Sequence, residues 1–358
     1  MTETLEILRT GVLATVQDLG RWGYQRVGMP VSGAMDGFAL RAANVLVGNG
    51  AGEAGVEIAM GGLAMRAMRE TVVAICGADL RARLDDRPAP TWKSFAIRAG
   101  QELSWDRPAS GAWAYLAVAG GIDVPSVMGS KSTYLRAKVG GLQGRALAKG
   151  DILVAPSVAP PLVAPLLVAP PSPLGGVFPN TQDTPKRTWG CHKKGCHKGG
   201  CHAFCGRGLS PTEIPEYSSS VTARVILGPQ QGAFEDEAVK VLCSSEYEVT
   251  AQSDRMGYRL KGPPLRHRSS ADILSDALTF GSIQVPADSQ PILLAADRQT
   301  TGGYAKIATV ISADLSAAVQ LGPGGKLRFE PIDVRQAQEL ARQQERFLAR
   351  LQMACSAL

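Results

Sequence analysis

The sequence has no segment suited to entering or crossing a membrane. Its 358 residues contain no uninterrupted apolar run of about 18 residues, the length that a transmembrane helix requires. The first residues, Met1–Arg9, have neither the basic flank nor the apolar stretch of a secretory signal peptide. We therefore expect a cytoplasmic protein.

Familiar nucleotide-binding and nucleophilic motifs are also missing. The stretch Gly322–Leu327 lacks both the distal glycine and the Ser/Thr after Lys326 that a Walker A loop needs, and Gly129–Thr133 fails in the same way. No pairing of histidine with cysteine or serine suggests a nucleophilic catalytic centre. If the protein uses ATP, the nucleotide is expected to bind another subunit or a subunit interface.

The formal net charge of +6 does not indicate a nucleic-acid-binding surface. Residues 181–210 hold six basic residues and one acidic residue, so they account for +5 of that charge. A nucleic-acid-binding protein would carry its basic residues across a folded face. The rest of this chain is close to neutral, and we set nucleic acid aside as a partner.

The composition predicts a soluble, mainly β protein. The sequence is 45% hydrophobic and 20% charged, and its 40 glycines and 23 prolines favour frequent turns. Two helices stand out. One follows Asp36, a suitable N-cap, and ends at Gly48, and the other is a charged amphipathic helix over Asp333–Met353 that is expected to pack on a barrel or on a partner. Short strand-like runs separated by turns fill most of the remainder.

A change in composition divides the chain. Pro156–Pro173 contains seven prolines, which indicates an extended linker rather than a helix or a central strand. We predict a first β-domain over 1–154, a linker with an insert over 155–220, a second β-domain over 221–331 and a C-terminal helix over 332–358.

The linker contains an unusual cysteine- and histidine-rich insert. Four cysteines recur at steps of four or five residues: Cys191, Cys196, Cys201 and Cys205. Four thiols with neighbouring imidazoles could form a tetrahedral zinc site, although the spacing is not that of a zinc finger. The alternative is a disordered, low-complexity insertion in a tolerant linker.

The most informative stretch of the second half is Asp297–Lys306, which follows the apolar run Ile292–Ala296. A buried strand would thus deliver an acid, a guanidinium, hydroxyls and a glycine pair within a few residues. Glycines allow close approach of the backbone to a ligand and could direct free N–H groups at an anion. The pattern fits either a binding site or a polar hairpin turn.

A weak internal repeat links the two halves. The segments Asp18–Tyr24 and Asp254–Tyr258 both begin with an aspartate, continue with an arginine and end in x-Gly-Tyr, where x is any residue. A tandem duplication would explain this repeat. The equivalent Asp and Arg side chains would then face a shared cleft.

Several longer motifs, in the same order, resemble the biotin-dependent carboxyltransferase family, in particular the branch of 5-oxoprolinase C subunits (PxpC) and KipA. The motifs are Thr15–Tyr24, Pro30–Asp36, Ala119–Pro125, Ser253–Leu260 and Ala296–Lys306. The resemblance covers about residues 5–154 and 221–331. It implies a mainly β fold of tandem cyclophilin-like β-barrels.

The resemblance also implies a function. It points to a subunit of an ATP-dependent 5-oxoprolinase, which opens 5-oxo-L-proline to L-glutamate together with PxpA-like and PxpB/KipI-like subunits and is inactive alone. The alternatives are a KipA-like regulator that binds a histidine-kinase inhibitor and a carboxyltransferase subunit of the urea carboxylase type. Covalent biotin is not expected, because the nearest look-alike of a biotinylation site, Met65–Met68, has no lysine.

Opening a lactam with ATP and Mg²⁺ requires cations and N–H donors around developing negative charge. The candidate catalytic residues are therefore Asp297, Arg298, Thr300, Thr301, Lys306, Asp254 and Arg255. Candidates for binding substrate or phosphate are Gly302, Gly303, Tyr304, Asp18, Arg21 and Tyr134. Asp297 could orient Arg298 or hold magnesium, and each charged residue could instead belong to a structural ion pair.

Overall fold

The computed structural model describes residues 2–157 and 208–356 of the chain. Residues 158–207, which make up most of the predicted linker and include Cys191, Cys196, Cys201 and Cys205, lie outside the described residues. None of the helices in the described part is long and apolar enough to cross a membrane.

The first half consists of eleven strands and one α-helix within residues 2–155. The strands are β1 (Thr2–Arg9), β2 (Leu13–Gln17), β3 (Gly55–Ala59), β4 (Ala64–Ala67), β5 (Thr71–Asp79), β6 (Arg83–Leu84), β7 (Arg87–Pro88), β8 (Lys93–Ile97), β9 (Glu102–Ser104), β10 (Ser110–Val118) and β11 (Ile152–Ala155). They form a six-stranded sheet in the order β11-β1-β4-β9-β6-β7 and a five-stranded sheet in the order β2-β3-β10-β5-β8.

The five-stranded sheet is buried on both faces, which explains its continuous apolar runs. In β5, Val73 and Ile75 belong to the core shared by the two sheets. Their neighbours Val72, Ala74 and Cys76 belong to a second core that extends into the other half of the protein. Because side chains alternate across a strand, one uninterrupted apolar segment supplies both cores.

The helix α1 (Gly37–Leu46) covers the outer face of this sheet, as the sequence predicts. The Asp36 side chain accepts a hydrogen bond from the Ala39 amide at 3.0 Å and so caps the helix. Gly48, with a φ of 82°, follows the last turn. The predicted helix between Asp36 and Gly48 is confirmed.

The second half is built on a closed barrel. Its strands are β12 (Ser220–Leu227), β13 (Glu246–Val249), β14 (Gly257–Lys261), β15 (Asp272–Ala277), β16 (Ser282–Gln284), β17 (Ile292–Leu294), β18 (Thr301–Tyr304), β19 (Lys306–Val310) and β20 (Lys326–Pro331). Seven strands close in the order β12-β19-β16-β17-β14-β13-β20, whereas β15 and β18 pair separately. The helices are α2 (Asp236–Ser244), α3 (Ser312–Val319) and α4 (Val334–Ser356).

The C-terminal helix α4 packs against α1 and α3 of the same chain. The rings of Phe347 and Phe38 lie 5.8 Å apart, and Leu348 and Leu351 are buried in the core shared by the two halves. The predicted mainly β fold with a C-terminal helix is therefore confirmed. Hydrogen bonding closes the barrel completely in the second half, whereas the described strands of the first half form two sheets around one core.

Candidate functional site

A buried charge network joins the two halves at Arg255. This residue precedes β14, and its side chain is 5% exposed. Its Nε donates to Asp297 Oδ2 at 2.9 Å and its Nη2 to Asp297 Oδ1 at 3.1 Å. Its Nη1 donates to Glu57 of β3, and its Nη2 also donates to the Gly33 carbonyl at 2.6 Å. One guanidinium thus binds a carboxylate from each half.

Glu57 is fixed from the first half by two donors. Its Oε2 accepts hydrogen bonds from the Met35 amide at 2.8 Å and the Tyr115 hydroxyl at 2.7 Å. Burial raises the pKa of Glu57, although the Arg255 charge opposes the shift. Burial alone would lower the pKa of Arg255, but Asp297 and Glu57 outweigh it and raise that pKa. The arrangement holds Arg255 as a permanent cation.

Ser32 completes the environment of Asp297 and was not among the predicted site residues. Its Oγ lies 2.6 Å from Asp297 Oδ1 and 3.0 Å from the Thr133 carbonyl oxygen. Its φ of 57° is in the left-handed region, which is uncommon for serine. Ser32 and Glu57 escaped prediction because their partners are 265 and 198 positions away in the chain. The acidic residue inside the apolar strand Gly55–Ala59 was the available indication for Glu57.

The sequence suggests that Asp297 could orient Arg298, but in the structure Asp297 binds Arg255 instead. Arg255 donates to both oxygens of the Asp297 carboxylate, so these two residues form the structural ion pair that the sequence also allows. The neighbouring Asp254 lies on the surface instead. Its carboxylate is 59% exposed and is 3.9 Å from the Arg136 guanidinium.

Asp18 and Arg21 organise the interior rather than line an open cleft. Asp18 accepts hydrogen bonds from the Gly20 and Lys131 amides and from the hydroxyls of Ser130 and Ser132, and it fixes that turn. Arg21 is fully buried and donates from Nη2 to the Ser132 carbonyl. Its Nε and Nη1 have no partner among the residues that the structure describes.

The two arginines of the internal repeat, Arg21 and Arg255, share a negative neighbour. Burial lowers the pKa of Arg21, whereas the Asp18 and Asp297 charges act to raise it. The half-buried Tyr134 is also close: burial and the Asp297 charge raise the pKa of its phenol. The repeat thus converges on Asp297, but in a buried network.

The glycine pair of the Asp297–Lys306 stretch lies in a strand and not in an anion-binding turn. Thr301–Tyr304 forms β18, which pairs with β15 so that Gly302 lies opposite Asp276 and Thr301 opposite Ala277. A side chain at Gly302 would meet Gln284 Nε2 at 2.8 Å, so close packing explains this glycine. Thr301 and Tyr304 are exposed on this small sheet, and Thr300, which precedes it, is half-buried.

Lys306 ties the small sheet to the barrel. Its Nζ donates to Asp276 Oδ2 at 2.6 Å and to the Ala277 carbonyl at 3.1 Å. The hydrogen bond from Lys306 lowers the pKa of Asp276. With its charge paired and its side chain 4% exposed, Lys306 has a structural partner in the described chain.

Arg298 is the predicted site residue that faces an open cleft. The side chain is buried, at 4% exposure, and donates only to backbone carbonyls, from Nε to Leu278 and from Nη1 to Ala295, each at 3.3 Å. Burial lowers the pKa of Arg298 to about 10, although the charge of Asp297 acts against this shift. The cleft has a volume of about 510 Å³ and is lined by both halves and by α4. We call it the Arg298 cleft, and it is the candidate site.

Comparisons with known proteins place the chain in a family. The family model for the carboxyltransferase domain, subdomains A and B, matches residues 27–331. The chain is 34% identical to the 5-oxoprolinase C subunit of Haemophilus influenzae over 96% of both chains, and 35% identical to that of Escherichia coli over 97% of both. Among solved structures, the urea amidolyase of K. lactis superimposes with a TM-score of 0.81 at 26% identity, over 98% of this chain and 20% of that protein. The chain belongs to the carboxyltransferase domain family that comprises subdomains A and B.

Proposed function

We propose that this chain is the C subunit of an ATP-dependent 5-oxoprolinase, a lactam hydrolase that converts 5-oxo-L-proline to L-glutamate. The observation that carries the proposal is the identity of 34% and 35% to two bacterial C subunits of 5-oxoprolinase, over 96% and 97% of their lengths. The match therefore spans both halves of the chain, between which the Arg298 cleft lies. Proteins that match over both halves are expected to act on the same class of substrate.

The proposed enzyme is a complex. Its other members are a PxpA-like subunit and a PxpB/KipI-like subunit, and this chain is inactive without them. The naming of both bacterial relatives as subunits supports membership in a complex. The proposed location is the cytoplasm.

The Arg298 cleft does not fit a magnesium-bound nucleoside triphosphate. The lining of the Arg298 cleft supplies one unpaired positive charge, too little for a triphosphate. The described residues contain no group of three or more Asp, Glu, His or Cys side chains that could hold a metal ion, and Asp297 is bound by Arg255. The proposal therefore assigns ATP and its Mg²⁺ to a partner subunit or to an interface.

A second candidate is a carboxyltransferase role of the urea carboxylase type. Its support is the superposition on the K. lactis urea amidolyase and 30% identity to the urea amidolyase of Lachancea kluyveri. The chain spans only 17% of the Lachancea protein, whereas it spans nearly the whole of each bacterial relative. Carboxylation of urea by the chain with a biotin-bearing partner would favour this second candidate.

The test of the proposed function is reconstitution. The chain is mixed with its PxpA-like and PxpB/KipI-like partners, 5-oxo-L-proline and ATP, and glutamate is measured. We expect ATP-dependent glutamate formation that stops when this chain is omitted. Equal glutamate formation with and without the chain would remove the proposal.

A further inference from the structure

The Arg298 cleft has mostly apolar walls. Its lining comes from the first-half loop that carries Val31 and Ser32, from the first turn of α1, from the second-half residues Thr279 and Phe280, and from α4. Polar residues are about as numerous in the lining as apolar ones, but the apolar side chains are larger and supply most of its surface: Leu19, Trp22, Val31, Met35, Phe38, Phe280 and Leu315. An open cleft of about 510 Å³ lies within the size range of small-molecule sites.

The charges in the lining do not cancel. Three charged side chains line the cleft, and two of them, Arg41 and Glu345, form a two-pronged ion pair. Among the described residues Arg298 makes no ion pair with a carboxylate, and Asp297 acts on it only through its charge, since Asp297 forms its ion pair with Arg255. The Nη2 group of Arg298 makes no hydrogen bond with any residue in the described ranges. The lining therefore carries a net charge of +1.

Two helix N-termini border the same cleft. Gly37 and Phe38 in the first turn of α1 and Ser312 in the first turn of α3 line it. Within residues 2–157 and 208–356 their amides have no hydrogen-bond acceptor, so they can donate to a ligand. The helix dipoles add little, because the Asp36 carboxylate already caps α1 and Asp314 lies in the first turn of α3.

We propose that the Arg298 cleft binds a small monocarboxylate with a compact, largely apolar body, and that Arg298 is its counter-ion. The planar guanidinium can bind both oxygens of a carboxylate. One positive charge between apolar walls matches a monoanion, whereas a phosphate dianion would leave a buried negative charge uncompensated. Carboxylate binding follows from this chain alone. The identification of the ligand as 5-oxo-L-proline, whose carboxylate is its one charged group, rests on the proposed function.

The experiment is a calorimetric titration of the purified full chain with 5-oxo-L-proline. The comparison ligands are the uncharged amide of 5-oxo-L-proline, an unrelated cyclic monocarboxylate, and inorganic phosphate. The variants are Arg298→Met, Arg298→Lys and Arg259→Met, the last an exposed arginine outside the cleft. Urea unfolding of each variant checks that the fold is kept.

We expect saturable binding of the carboxylates and much weaker binding of the amide and of phosphate. A charge-assisted hydrogen bond contributes about 1.5–3 kcal/mol, so Arg298→Met should weaken carboxylate binding by roughly 10- to 100-fold. Arg298→Lys should lose less, and Arg259→Met should bind as the wild type does.

Four results would overturn the inference. The first two are the absence of saturable carboxylate binding and equal affinity for the amide and the carboxylate. The others are tighter binding of phosphate than of carboxylate and unchanged carboxylate affinity in a folded Arg298→Met variant. Its failure is distinguishable from that of the proposed function. A reconstituted complex that forms glutamate while Arg298→Met binds carboxylate normally removes the inference alone. Carboxylate binding without glutamate formation removes the proposed function alone.

Discussion

Replacing Arg255 by methionine should reveal how much the buried ion-pair network stabilises the protein. The substitution removes the cation between Glu57 and Asp297, whose side chains are 1% and 7% exposed. Removing one partner of a buried ion pair costs about 3–5 kcal/mol, because the other charge stays buried and unpaired. Two carboxylates lose their partner here, so we expect a loss of at least about 4 kcal/mol in the free energy of unfolding.

Urea unfolding followed by tryptophan fluorescence measures this loss, since the Trp113 ring lies 5.9 Å from the Arg255 guanidinium carbon. The matched control is Arg259→Met, four positions further along and exposed, where a change within about 0.5 kcal/mol is expected. If the two variants unfold at similar urea concentrations, the network does not contribute as described.

The pH dependence of the same variant gives an independent check. Burial already raises the pKa of Glu57 above its usual value of 4.5, so folding favours the protonated carboxyl group. Stability from this group is present below the unfolded pKa and is lost as pH rises through the folded pKa. Without Arg255 that pKa rises further, so Arg255→Met should be destabilised less at about pH 5 than at about pH 8. An equal loss at both values would contradict the assigned role of Glu57.

Three further predictions concern single side chains. Gly302→Ala should cost about 1–3 kcal/mol because the new Cβ would lie 2.8 Å from Gln284 Nε2, whereas Gly303→Ala, with its nearest contact at 3.5 Å, should be nearly neutral in urea unfolding. Asp36→Ala should cost about 2–3 kcal/mol, since it removes the α1 cap and two further buried hydrogen bonds. Because the pKa of Arg298 is lowered only to about 10, carboxylate affinity should be constant near neutral pH and fall above about pH 10 in the titration.

Local features of the sequence predicted the fold well where local physics determines it. Asp36 before an apolar run and Gly48 after it specified α1, because a cap and a stop depend on neighbouring residues. The uninterrupted apolar run Val72–Cys76 likewise indicates a buried strand, and it lies within β5. The division of the first-half strands into two sheets was not predictable, since it depends on pairings between distant segments.

In the candidate site, too, the sequence predicts the local segment but not its distant partners. The Asp297–Lys306 stretch is predicted as a binding site or a polar turn, but in the structure its residues lie in different places. Asp297 and Arg298 are adjacent in the chain, yet one joins the buried network and the other lines the cleft. The partners of Asp297 are Ser32, from the other half, and Arg255, which lies 42 positions earlier in the chain, so no local pattern predicts them. The packed structure therefore determines which arginine has no carboxylate ion-pair partner among the described residues, and the sequence alone does not.

The central claim is that Arg298 serves the substrate of the complex and not the fold. The most direct measurement is glutamate formation by the reconstituted complex containing Arg298→Ala, beside complexes with the wild type and with Arg259→Met. We predict that Arg298→Ala abolishes activity, that the variant still unfolds cooperatively in urea and is folded under the assay conditions, and that Arg259→Met remains active. Full activity in the Arg298→Ala complex would contradict the account.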